Sequence, residues 1–151
     1  MTTLAITRHV SPRLPGCERT CIDAQTIDLE RAQTQHADYV RVPRDLGCEV
    51  IELAAEPDLP DSVFVEDAAV VLPEVAVITR PGADSRRPET ASIVEALAPY
   101  RELLRIEAPA PLDGGDVLVM EKEILVGLST RSDARAVEQL QGLLGSFGYT
   151  V

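Results

Sequence analysis

Tryptophan is absent, phenylalanine occurs twice and tyrosine three times. Without large aromatics the core must be built from Val, Leu, Ile and Ala. Apolar runs are equally short. None approaches the roughly 18 residues that cross a bilayer, and the start MTTLAITRHVSPR lacks the layout of a signal peptide. The expected location is therefore the cytoplasm, with no membrane as partner. Positive charge is scarce too, at 14 basic against 25 acidic side chains and a net charge of −11. Such a surface repels phosphates and argues against nucleic acid as a partner, while remaining compatible with a cationic small molecule. Cysteine numbers three, Cys17, Cys21 and Cys48. That odd set forms no two metal-type pairs, so no metal site is expected. The two histidines, His9 and His36, complete no convincing Cys–His arrangement, and His36 falls on the apolar side of a predicted helix.

What the chain does have is an internal echo. At 151 residues it is long enough for one domain with a real core, residues 1–151, and short for two. VEDAAVVLPEVAVITR (65–80) and GGDVLVMEKEILVGLSTR (114–131) share an Asp, an apolar run, a polar break, a second apolar run and an Arg. Asp67 matches Asp116 and Glu74 matches Glu123, both pairs 49 residues apart. Each segment reads as a hairpin, turning at Pro73-Glu74 and at Glu121-Lys122-Glu123. A helix follows each: Pro88 to Leu103, with Ile93, Leu97 and Leu103 inward, and a second capped by Ser132 or Asp133 and ended by Gly145 or Gly148. Short strands, LLRIEA (103–108) and YTV (149–151), close the units. The N-terminal third fits the same frame without its first strand. LAITR (4–8) leads to a helix around 25–42, with Leu29, Ala32, His36, Tyr39 and Val40 on one side. Pro43 should end or kink that helix, and CEVIELA (48–54) follows. The fold class is α/β, built of about three ββαβ-like modules. Such modules cannot bury their apolar faces alone, and the last breaks off at Val151, so further chain or a partner is expected to supply the next one.

Charge collects at the hairpin starts. In PDSVFVED (60–67), Val63-Phe64-Val65 reads as a buried strand, with Asp61, Glu66 and Asp67 crowding its ends. In LDGGDVL (112–118), two glycines permit close backbone approach between Asp113 and Asp116. Carboxylates of this kind also serve turns and helix caps. Their recurrence at one structural point in two modules favours a cation pocket instead, and a guanidinium matches carboxylates bidentately. Arg86 and Arg87 in RPGADSRRPE, and Arg131 in GLSTRSD, each follow a hairpin's second strand and should lie near one another at a loop rim. Arginines facing acids suit an amino acid, although exposed loop arginines are also common in a very acidic protein.

Taken in order, PDSVFVED, ITRPGADSRRPE, LDGGDVL and VGLSTRSD resemble the N-terminal half of dimethylarginine dimethylaminohydrolases, of the guanidino-group-modifying superfamily that includes arginine deiminases and amidinotransferases. The resemblance runs from about Ala5 to Val151. It implies a partial α/β propeller of the pentein type, the N-terminal part of five modules around a central channel. It also implies hydrolysis of methylated arginine to citrulline and an alkylamine without cofactor, through a Cys thiouronium intermediate and a His that handles protons. By the same resemblance Asp67 would hold the guanidinium and Asp61 the α-amino group, with Glu66 supporting that acidic end. Arg86 and Arg131 would bind the α-carboxylate, and Asp113 would be the acid partner of the His. PGCERTCID (15–23) falls where the family has its lid loop. The family's His lies in an HLK-type motif and its Cys near the C-terminus; neither is in these 151 residues, so this chain alone is expected to be inactive. The substrate partner would be a guanidino amino acid, and self-association or a complementing C-terminal half is expected. Two alternatives stand beside this reading: a non-catalytic half-propeller binding module or subunit, and a hydrolase for arginine or another guanidino compound.

Overall fold

The computed structural model describes residues 3–19 and 26–151. Cys21, most of the expected lid stretch beyond Arg19, and Gln25 at the start of the first expected helix lie outside the described residues. The chain packs as two compact units, Met1–Val65 and Glu66–Val151.

In the first unit, β1 (Leu4–Arg8) pairs in parallel with β2 (Glu49–Leu53), from Leu4 opposite Glu49 to Arg8 opposite Leu53. The crossover is α1 (Leu29–Asp45). Its N-terminus is fixed by Asp28, whose carboxylate accepts the Arg31 N–H at 3.1 Å, occupying one of the donors a helix start leaves without an internal partner. Pro43 does not stop the helix; it sits in the last turn, two residues before the end. On its inward side Val40 is buried and Leu29, Ala32 and His36 are half-buried, whereas Tyr39, expected to join them, is 65% exposed. Arg8, at the end of β1, is buried. Its Nη1 donates to the Ala54 carbonyl at 3.2 Å and stands 3.1 Å from Glu56.

The Val63–Val65 strand does not form. The Phe64 N–H donates to the Asp61 carbonyl at 2.9 Å and the Ser62 hydroxyl to the Leu59 carbonyl at 2.8 Å. The backbone therefore turns, and Phe64 is exposed. A 3-10 helix, Val65–Ala68, follows with Glu66 and Asp67 in its first turn. Local side-chain and turn bonds have outcompeted strand propensity, which is worth little without a partner strand.

The second unit holds two copies of the hairpin–helix plan. β3 (Ala69–Val71) and β4 (Val75–Ile78) are antiparallel, α2 (Thr90–Leu97) crosses over, and β5 (Glu102–Arg105) returns parallel to β4. All four residues of β4, the central strand, are buried. The expected Pro88–Leu103 helix is shorter. Pro88 belongs to a 3-10 helix, Asp84–Glu89, and Leu103 lies in β5. The second copy is β6 (Val117–Met120), β7 (Glu123–Val126) and α3 (Ala134–Leu144), with Thr150 returning in parallel beside Glu123. Of the two candidate caps for α3, Asp133 is the one used, accepting from the Arg135 and Ala136 N–H groups. Ser132 is thereby left for another task.

Leu112, Ile124, Ala136, Leu140 and Leu144 are at most 1% exposed and share one core with Val75 and Val77. The two hairpin turns are stapled together. Lys122 Nζ meets Glu74 at 3.0 Å and lies 3.8 Å from the centroid of the Tyr149 ring, while the Tyr149 hydroxyl donates to Glu74 at 2.8 Å. The β6–β7 hairpin is apolar on both faces. Ile124 points into the core, yet the cross-strand partners Leu118 and Leu125 are 56% and 53% exposed. Two apolar faces are the pattern of a sheet covered on both sides.

Burial is the main cause that holds the pKa of His36 below its ordinary 6.5, with His9 adding to it and Glu52 opposing. The unfolded chain therefore takes up this proton more readily than the fold. The site carries no penalty above pH 6.5, destabilises the fold progressively as pH falls from 6.5 towards the lowered folded value, and adds nothing further below it. Denaturant unfolding between pH 7.5 and 5 should show a steeper loss in the wild type than in His36→Gln; parallel slopes would refute it.

Candidate active site

The two hairpin starts of the second unit meet. Gly114 stands so close to the 3-10 helix that a Cβ there would lie 2.0 Å from the Glu66 carbonyl oxygen. Only glycine lets the GGD turn approach in this way. The approach delivers the Gly115 N–H to Asp67 Oδ1 at 3.0 Å, while Arg86 Nη1 donates to Asp67 Oδ2 at 2.6 Å. The Thr79 hydroxyl secures the Asp67 backbone by donating to its carbonyl at 2.6 Å. Each oxygen of Asp67 therefore has a fixed donor, and Glu66 beside it is exposed.

Arg86 is itself braced. Its Nε and Nη2 donate to the Glu89 carboxylate, at 3.1 and 2.9 Å, and both side chains are only 4% exposed. Burial opposes the guanidinium charge, but Glu89 and then Asp67 outweigh it and raise the pKa above the usual arginine value. A charge cluster this deep holds only while every member is present, because removing one partner strands a buried charge.

The second cluster centres on Asp113, which is 5% exposed. The Gly82 N–H donates to its Oδ1 at 2.8 Å and Arg131 Nη1 to its Oδ2 at 3.1 Å. Gly82 also touches the other loop, since a Cβ there would come within 2.5 Å of the Arg131 Cα. The loops carrying Arg86 and Arg131 are therefore neighbours, as their equivalent places after the hairpins imply. Each arginine is bonded to a protein carboxylate, Arg86 to Asp67 and Arg131 to Asp113. Asp61 belongs to the first unit, where it is 6% exposed and accepts the Glu18 N–H at 3.0 and 3.2 Å.

Sequence reasoning missed Glu89 and Ser132. The spacing of Arg86 and Glu89, three apart, is the available signal for a pair on one helical face. For Ser132, the signal was two adjacent candidates for a single cap. Among the described residues no group of acidic, His and Cys side chains is arranged to hold a metal ion, and no helix is long and apolar enough to cross a membrane.

The repeated strand–helix modules make an α/β fold of the pentein type, and similarity to known proteins narrows that class. The model of the eukaryotic N,N dimethylarginine dimethylhydrolase family matches residues 18–151. The N(G),N(G)-dimethylarginine dimethylaminohydrolase of Streptomyces coelicolor is 42% identical over 97% of the chain and 57% of its own length. A Pseudomonas aeruginosa dimethylarginine dimethylaminohydrolase, a cysteine-to-serine mutant complexed with citrulline, superposes with a TM-score of 0.94 at 32% identity, over 99% of this chain and 59% of that one. A histidine-to-glycine dimethylarginine dimethylaminohydrolase, in an adduct with S-methyl-L-thiocitrulline, gives the same values. The chain belongs to the dimethylarginine dimethylaminohydrolase family, and it spans somewhat under three fifths of the length of these relatives.

The approach at Gly114 is open to a direct check. Gly114→Ala must displace backbone and should cost about 1–3 kcal/mol or more, the range for overpacking. Gly16→Ala, where nothing lies within 4 Å of the added carbon, should be close to neutral. Equal denaturation midpoints for the two variants would contradict the contact.

Proposed function

We propose that the protein carrying this chain hydrolyses the guanidino group of methylated arginine, releasing citrulline and an alkylamine. One observation carries this reading beyond family membership: Asp67 is an oriented carboxylate, one oxygen on Arg86 and the other on a backbone N–H. Its side chain is still 19% exposed. A carboxylate has about four acceptor sites, so a carboxylate held in this way can take a planar guanidinium as well, with the exposed Glu66 alongside.

The reaction needs a thiolate to attack the guanidinium carbon. The alkylamine then leaves with a proton, and water resolves the thiouronium to citrulline and free thiol. Asp113, anchored by Gly82 and Arg131, is assigned to orient the histidine that handles these protons. No cysteine or histidine occurs after Cys48 in the sequence, so the cluster of the second unit contains neither. We place the nucleophile and the general base on polypeptide outside these 151 residues, in the same or a separate chain. Asp61 is assigned to the substrate's α-amino group through its place in the PDSVFVED motif. Arg131, with 23% of its side chain exposed, is assigned to the α-carboxylate. Arg86, deep and braced by Glu89, contributes by holding Asp67. No cofactor enters this chemistry, and the cytoplasm is the proposed location.

The assay is citrulline release from dimethylarginine by the intact protein. Residues 1–151 alone should release none, and robust turnover by them would overturn the placement of the nucleophile. Turnover of arginine in preference to its methylated form would replace the substrate assignment. Charged hydrogen bonds are worth roughly 1.5–3 kcal/mol, so Arg131→Ala should raise KM about tenfold or more. Arg86→Ala should lower kcat as well, through misplacement of Asp67; a rise in KM alone would return Arg86 to the carboxylate.

The outer face of β6–β7 supports a second proposal. Leu118, Met120 and Leu125 expose one apolar surface, which suits self-association or cover by a complementing C-terminal half. Light scattering of residues 1–151 should report a species larger than a monomer, and a strictly monomeric chain would count against it.

A further inference from the structure

Asp116 stands in the second hairpin copy where Asp67 stands in the first, yet among the described residues it pairs with hydroxyls and no cation. Its Oδ2 accepts two hydroxyls, from Ser129 at 2.8 Å and from Ser132 at 2.6 Å. Each hydroxyl also accepts backbone N–H groups. Ser132 Oγ, fully buried, takes the Asp113 N–H at 3.0 Å. Ser129 Oγ takes the Arg131 N–H at 2.9 Å and the Ser132 N–H at 3.2 Å. An ionised carboxylate only accepts, so both hydroxyl protons point to Asp116 and both lone-pair sides point to the backbone. One side chain thus registers the Asp113 backbone against the Arg131 backbone, and those two side chains form the 3.1 Å ion pair.

We propose that Asp116, acting through Ser132 and Ser129, is a positioning residue for the Asp113–Arg131 pair. The inference rests on the reading of Asp113 and Arg131 as functional groups, and the test separates the two. In the intact protein, Asp116→Ala removes the acceptor of both hydroxyls, and Ser132→Ala removes the bond to Asp113. Each should speed exchange of the Asp113 amide proton about tenfold and shift the Arg131 side-chain NMR signals. Each should also lower kcat with dimethylarginine about tenfold, a loss on the scale of one charge-assisted hydrogen bond. The double variant should be no worse than the more impaired single one, because both act through one path. Ser129→Ala, at an exposed position, should show the same changes in weaker form and covers the case in which a buried variant does not fold. Unchanged Arg131 signals and an unchanged kcat in these variants would overturn the proposal. So would a loss of activity that only follows a lowered thermal midpoint. If the wild type does not turn over dimethylarginine, the functional reading fails, and the NMR comparison still decides the positioning role.

Discussion

The second unit is organised by one carboxylate with two unlike donors. Asp67 takes a guanidinium N–H from its own module, through Arg86, and a backbone N–H from the next module, through Gly115. The first contact depends on Glu89, which neutralises Arg86 at a depth where an unbalanced guanidinium is costly. The second depends on Gly114, because any side chain there would collide with the Glu66 carbonyl. Remove either support and the hairpin starts part, and with them the acids they present. The positions that matter for the proposed chemistry are therefore also the positions that join the modules.

This coupling explains which parts of the molecule were legible in its sequence. The β3–β4 and β6–β7 hairpins, α3 and β1 over LAITR are legible because local pattern and local bonds agree there, whereas the α3 cap is narrowed only to Ser132 or Asp133. The repeat at 49 residues placed Asp67 and Asp116 in equivalent positions before any coordinates. The misreadings share another cause. Val63-Phe64-Val65 has strand composition but no strand partner, and the Phe64 N–H goes to Asp61 instead. Tyr39 follows the apolar spacing of α1 but turns outward, because stripe width depends on what packs against it. The partners of Arg86 and Arg131 within the protein, Asp67 and Asp113, are equally invisible in the local pattern. Which acid satisfies which base is a long-range fact, spanning 19 and 18 residues in these pairs, and composition does not carry it.

The two copies also differ in how they hold their equivalent acids. In one the partner is a buried guanidinium; in the other it is a pair of serine hydroxyls, one of them buried. A guanidinium brings positive charge to its acceptor, whereas a hydroxyl only donates a hydrogen bond. The ionic copy shares one guanidinium between Asp67 and Glu89, so the cluster keeps a net negative charge. The hydroxyl copy leaves Arg131 to balance Asp113.

That difference has a consequence for how a duplicated scaffold acquires distinct functions. Identical hairpins would present two equivalent acids, and two equivalent acids could only do the same work twice. With serines as its partners in place of an arginine, Asp116 is joined to the loop of its own copy, and that loop's Arg131 pairs with Asp113. The asymmetry a reaction requires, with one end of a substrate unlike the other, is thus written into a symmetric frame by changing whom an aspartate is bonded to, with no change in where it sits.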